Sequence, residues 1–187
     1  MPFFVSPFSY KKAATTQDVT TVFRLKKYIM INLLNRVFSP LTNTYMSFVK
    51  IWVHAVWGTK NKYPYLTSPI RPSIFSHICS NASDKGIFIQ EIGGYHQHVH
   101  CLLTLAAENN IAKVIQLLKG ESSYWINKEK LVQRKFEWAD EYYGVSVSES
   151  HVNRVRNYIR NQEEHHKRKS WDEEVDEFLE KYGFSIG

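Results

Sequence analysis

The sequence predicts a small α/β domain beyond Met46, and three observations carry that prediction. From Ser47 onward, segments rich in β-formers with period-two alternation are separated by segments whose apolar residues recur at helical spacing. The length of 187 residues and the 43% apolar content suit one ordinary domain with a real core. The run Cys101-Leu102-Leu103 fits a strand buried on both faces, which requires layers on either side of a central sheet.

Taken in order, Ser47 to Trp57 alternates and reads as a strand, and Thr67 to Ser83 reads as a helix beginning near Pro69. Gly86 to Leu105 carries one or two strands divided at Gly93-Gly94. Asn110 to Leu131 places Ile111, Val114, Ile115, Leu118, Trp125 and Ile126 at helical spacing, with an interruption expected near Gly120. Phe136 to Val147 is aromatic and reads as extended. Ser148 or Ser150 can cap the next helix, which is expected to run through Tyr158 to about Lys167. The last helix has the clearest local signature: Ser170-Trp171-Asp172-Glu173 matches a capping box, and Asp172, Glu173 and Glu174 suit the positive helix start. Lys181 and Gly183 mark its end, and Trp171, Val175, Phe178, Leu179 and Tyr182 form one apolar stripe.

Residues 1–45 differ from the rest. They carry Lys11, Lys12, Arg24, Lys26, Lys27 and Arg36 against the single acid Asp18, so most of the formal net charge of +6 lies there. We read them as an N-terminal extension, with Met46 as the expected working start and residues 46–187 as the functional domain. A basic, nearly acid-free targeting peptide is the other reading, although no clear cleavage signal is present. The longest apolar runs, such as Tyr28 to Leu34, fall far short of the roughly 20 residues that span a bilayer. Cys79 and Cys101 are the two cysteines, and with no convincing secretory signal they are expected to be reduced thiols of a cytoplasmic protein. Because residues 46–187 are nearly neutral, any phosphate-binding surface must come from local clusters. The candidates are Lys60, Lys62 and Arg71; Lys113 and Lys119; Arg154, Arg156 and Arg160; and the run from His165 to Lys169. Each can equally be a solvated face.

The chemistry concentrates in two places. In Gly94-Tyr95-His96-Gln97-His98-Val99-His100, the imidazoles of His98 and His100 project from one face of a strand. About sixty residues on, Tyr158 and Gln162 share one side of a helix that also carries Arg154, Arg156 and Arg160. Singly, each has a structural alternative: strand histidines are commonly hydrogen-bonded core residues, and most of the eleven tyrosines must be packing residues. Together they offer two imidazoles, an amide oxygen and a phenol to one centre, a set suited to metal-assisted attack by tyrosine on a phosphodiester. Two imidazoles and an amide accept Mg²⁺, Mn²⁺ or Zn²⁺.

The ordered set of Lys60 after the first strand, His98-Val99-His100, Lys119-Gly120-Glu121-Ser122-Ser123, Val145-Ser146-Val147-Ser148, Tyr158 to Gln162 with Glu163-Glu164-His165-His166, and the terminal Trp171 to Tyr182 helix resembles the HUH single-tyrosine transposases. These are the insertion-sequence (IS) 200/605 type and their REP-associated relatives. The resemblance implies an α+β sandwich of the ferredoxin-like HUH endonuclease kind, with a central, mainly antiparallel sheet and flanking helices. It implies that His98, His100 and Gln162 hold Mg²⁺ or Mn²⁺, and that Tyr158 is the nucleophile that cleaves and rejoins single-stranded DNA through a 5′-phosphotyrosine. It further implies hairpins at element ends as the DNA partner, a homodimer, and DNA contacts at Lys60, Lys119, Arg154 and Arg160. The helix around Lys113 to Trp125 is a candidate hairpin contact. The residue before the first histidine, often aspartate in such proteins, is Gln97 here; it faces away from the metal side of the strand, so ligation does not depend on it. The alternatives are a domesticated or inactive relative acting on repeated chromosomal hairpins, and an unrelated metal hydrolase that uses water.

Overall fold

The computed structural model describes residues 49–184; the N-terminal extension and the start at Met46 lie outside them. Four strands form one sheet in the order β2-β3-β1-β4, and every pairing is antiparallel. They are β1 (Ile51–Gly58), β2 (Phe88–Gly94), β3 (His98–Leu105) and β4 (Tyr143–Val147). The helices are α1 (Arg71–Asp84), α2 (Ile111–Lys128), α3 (Val152–Arg160), the single turn α4 (Gln162–His165) and α5 (Trp171–Tyr182). The fold is thus an α+β arrangement around an antiparallel sheet, as expected.

Alternation along the two central strands separates a packing face from a chemical face. Val53, Ala55 and Trp57 of β1 and Val99, Cys101 and Leu103 of β3 point to one side, where they join Ile74, Ile78 and Ala82 of α1 and Val114, Ile115, Leu118 and Ile126 of α2 in the main core. Fully burying a side chain of this size contributes roughly 1.5–3 kcal/mol. The opposite face carries Trp52, His54, His98, His100 and Leu102. Trp52 and Leu102 pack against Val152 and Ile159 of α3 in a second, smaller cluster. Since β3 and β1 lie between β2 and β4, both histidine-bearing strands are hydrogen-bonded on each side and held rigidly.

Several elements depart from their expected bounds, for local reasons. α2 runs unbroken through Gly120, which meets open space and imposes no kink, and Asn110 caps it by accepting from the Lys113 amide at 2.8 Å. The aromatic run from Phe136 becomes a strand only at Tyr143. Its first part is claimed by side chains of α2: Asn127 Nδ2 donates to the Phe136 carbonyl and its Oδ1 accepts from the Phe136 amide, both at 2.8 Å, while Trp138 Nε1 donates to Ser122 Oγ at 3.0 Å. Phe136 and Trp138 therefore plug the core instead of extending the sheet. The expected helix to Lys167 breaks at Asn161, whose φ of −97° and ψ of 19° separate α3 from α4. Neither Ser148 nor Ser150 caps α3; a 3-10 turn over Glu149–His151 precedes it. The capping box at Ser170 and Glu173 forms, and Gly183 ends α5 in the left-handed region at φ 67°. Cys79 and Cys101 are not joined in a disulfide, and no helix among the described residues is long and apolar enough to cross a membrane.

Candidate functional site

The chemical face gathers side chains from β1, β3, α3, α4 and α5. His98 and His100 are both completely buried, as β3 in the sheet centre requires. Their rings meet edge to face with centroids 5.0 Å apart. The Tyr158 ring approaches His100 at 5.6 Å, also edge-on. Gln162, buried at the start of α4, sets its Oε1 3.2 Å from His98 Nε2. The four residues singled out in the sequence are therefore neighbours, brought together within one chain although α3 and α4 are not one continuous helix. The break at Asn161 falls between Tyr158 and Gln162 without separating them.

At the centre stands a residue the sequence did not single out. Glu174 of α5 is 5% exposed. Its Oε1 accepts from the Tyr158 hydroxyl, accepts from Gln162 Nε2 at 3.1 Å, and lies 3.3 Å from His100 Nε2. Its Oε2 lies 2.9 Å from His166 Nε2 and 3.5 Å from His98 Nε2. Burial opposes this charge, but His100, His166 and the Tyr158 hydroxyl outweigh it and hold the carboxyl far below its usual range. Conversely, burial first, then the Glu174 charge and the hydrogen bond to it, push the Tyr158 phenol well above its ordinary value. Burial, and then His100, keep His98 well below the usual imidazole value, so its ring is neutral at ordinary pH.

Three further residues frame the site. His54 of β1 sets Nε2 3.0 Å from His100 Nδ1, which fixes the ring orientation of His100 and leaves its Nε2 aimed at the centre. Trp171, the first residue of α5, stacks on His98 at 4.1 Å with an interplanar angle of 10°. His166 brings its Nε2 3.1 Å from that of His98 and is itself stacked on Tyr95, which stacks on His96. Glu174 was legible in one respect: three residues after Trp171 and four before Phe178, it occupies the apolar stripe of α5, where an acid is out of place. His54 likewise interrupts an otherwise apolar strand.

The donor set fits a divalent cation. His98, His100 and Glu174 each offer one ligand atom, and these atoms lie within 4.8 Å of one another; Gln162 Oε1 stands beside them. His100 Nε2, which faces Glu174, is buried without a hydrogen-bond partner.

The proposed DNA contacts have mixed surroundings. Lys60 pairs with Asp140 at 2.5 Å, and Lys119 donates to the carbonyls of Ala139, Asp140 and Glu141 at 2.6, 3.0 and 3.2 Å. Arg160 pairs with Glu91 at 2.5 Å, and Arg154 is exposed on α3. Arg71 is buried, donating to the Leu66 carbonyl and pairing with Glu163, so it ties α1 to α4. An open cleft of about 710 Å³ lies beside Tyr158, bordered by Asn157, Asn161, Glu164, His165, Arg168, Lys169 and Glu173.

Over residues 47–162, which include both histidines, Tyr158 and Gln162, the sequence matches the family described as IS200-like transposase, and the chain belongs to that family. Among solved structures it is similar to a protein of Deinococcus radiodurans R1 described as a transposase, with a TM-score of 0.52 and 20% identity over 65% of this chain and 98% of that one. It is also similar to a REP-associated tyrosine transposase bound to a REP hairpin, with a TM-score of 0.50 and 12% identity over 67% of this chain and 74% of that one. At these identities the likeness establishes the shared fold. Comparison with curated proteins gives no match.

Proposed function

We propose that this transposase cleaves and rejoins single-stranded DNA by nucleophilic attack of Tyr158 on a phosphodiester, with His98, His100 and Gln162 holding Mg²⁺ or Mn²⁺. The observation that carries the reading is the convergence of one phenol, two buried imidazoles and an amide oxygen on a single face of the sheet. A divalent ion there would neutralise charge on the phosphate undergoing attack. Tyr158 Oη forms the new bond to phosphorus, the bond to the 3′ oxygen breaks, and the phenolic proton is balanced by the one gained at the freed 3′-hydroxyl. The strand is left on Tyr158 as a 5′-phosphotyrosine, and a 3′-hydroxyl can reverse the step on another end without an outside energy source.

The strands fix the imidazoles, and α3 to α5 bring Tyr158, Gln162 and Glu174 against them. The phenol is protonated at ordinary pH, so it reacts only where its hydroxyl is turned from Glu174 toward a phosphate. The cleft beside Tyr158, with Arg168 and Lys169 on its border, gives the DNA backbone an approach. DNA hairpins are the natural substrate class, given the hairpin held by the REP-associated structural neighbour. A homodimer, as the resemblance implies, belongs to the same proposal, although one chain here supplies all four residues. A relative domesticated to process repeated chromosomal hairpins would share this site, and mobile-element ends beside the gene separate the two.

The test is incubation of the full chain and its Tyr158→Phe variant with labelled single-stranded DNA from the flanks of the gene, with Mg²⁺ or Mn²⁺, followed by denaturing gels. A metal-dependent protein–DNA adduct that requires Tyr158 is expected. Cleavage surviving in the variant would assign a water-using nuclease instead, and binding without cleavage a retired DNA-binding descendant.

A further inference from the structure

We propose that Glu174, delivered by the C-terminal helix α5, is itself a ligand of the divalent ion, so that the metal site is His98, His100, Gln162 and Glu174 and not the two histidines and glutamine alone. The inference rests on the metal-dependent reading above and deepens it.

Geometry makes the first case. Glu174 Oε1 is 3.3 Å from His100 Nε2, and Oε2 is 3.5 Å from His98 Nε2. Adjacent ligands around a six-coordinate ion with bonds of about 2.1 Å stand about 3 Å apart. The carboxylate is thus spaced from both imidazoles as a fellow ligand would be. Gln162 supports the same arrangement: its amide nitrogen donates to Glu174 Oε1, which directs its oxygen toward His98.

Charge makes the second. Every ion-pair partner of Glu174 among the described residues is a histidine, and none is a lysine or arginine. A carboxylate this deeply buried calls for a full compensating cation. Mg²⁺ and Mn²⁺ are hard ions that favour charged oxygen donors, whereas two imidazoles and an amide present them with no negative charge. Glu174 supplies the missing anion, and the site supplies the missing partner for Glu174.

Position makes the third. The capping box of Ser170 and Glu173 fixes the first turn of α5, and Trp171 lies flat on His98, so Glu174 is aimed inward by the fold and not by a flexible arm.

The experiment is calorimetric titration of Mn²⁺ into the metal-free full chain, its Glu174→Gln variant and its His98→Ala variant, alongside the adduct assay. Glutamine keeps the shape of Glu174 and one acceptor oxygen but removes the charge, and the melting temperature of the metal-free variant checks its fold. The expected result is one Mn²⁺ per wild-type chain, with affinity lowered more than tenfold in both variants. Affinity within twofold of wild type in Glu174→Gln, together with loss in His98→Ala, would overturn the ligand role while leaving the proposed function intact. So would unchanged affinity with faster adduct formation, which would make Glu174 a cap on Tyr158. Absence of metal binding and of adduct in the wild type would overturn the proposed function itself. Should Glu174→Gln fail to fold, Glu174→Asp, which withdraws the charge by one methylene, carries the same comparison with a smaller expected loss.

Discussion

Gly93 of β2 lies directly beneath Ile159 of α3: a methyl group at Gly93 would stand 2.3 Å from the Ile159 carbonyl oxygen and 2.9 Å from its side chain. Ile159 is adjacent to Tyr158, so this close approach of helix to strand sets the depth of the Tyr158 phenol above the sheet. Gly93→Ala forces α3 outward. We expect a loss of roughly 1–3 kcal/mol in urea unfolding, as for other overpacked sites, together with a disproportionate fall in Tyr158 adduct formation. Undiminished adduct yield would detach the position of Tyr158 from this contact.

What the sequence made legible follows from which signals are local. The alternation of β1 and β3, the capping box at Ser170 and the His98-Val99-His100 spacing each depend on neighbours in the chain, and each appears in the structure. Glu174 and His54 were not picked out, because their roles depend on where α5 lands and on the β1–β3 register, which pairs Val56 with His100 and so brings His54 diagonally alongside it. Acids in the first turn of a helix have a sufficient local explanation in the helix dipole, and that explanation conceals the inward aim of Glu174. The irregular path from Phe136 to Tyr142 was hidden for the converse reason: aromatic residues suit a strand, but their hydrogen-bond partners Asn127 and Ser122 belong to a helix earlier in the chain.

Trp171 covers His98 face to face and is 7% exposed. Removing it opens a cavity over the imidazole and loosens the start of α5. Trp171→Ala is expected to cost about 3–5 kcal/mol in chemical denaturation, the usual range for a buried tryptophan, while Trp171→Phe should retain most of the stability. Equal losses in both variants would mean that the indole acts through something other than its packing area.

Asn127 clamps Phe136 by both its backbone groups, so a single side chain replaces a strand ladder at that point. Asn127→Ala removes the partner of the Phe136 amide, while the carbonyl keeps Ser123 Oγ at 3.2 Å, and should cost about 1–3 kcal/mol. Hydrogen exchange should then accelerate at the Phe136 amide while that at β3 is unchanged. Protection at Phe136 equal to wild type would show that the loop is held by Trp138 and Ser122 instead.

His54 provides an acid-sensitive element of stability. Burial, and then the neighbouring His100, lower its imidazole to about 3, whereas in the unfolded chain it takes up a proton near 6.5. Between those values the unfolded state binds more protons than the folded one, so stability is full above about 6.5 and falls as the pH drops toward 3. The slope contributed by this one residue approaches about 1.4 kcal/mol per pH unit. In His54→Gln the unfolding free energy, measured by urea titration at steps between pH 6.5 and 4.5, should decline with a shallower slope than in wild type by up to that amount. Parallel slopes would show that His54 gains its proton in the folded protein as readily as in the unfolded chain, and that the contact with His100 does not hold it neutral.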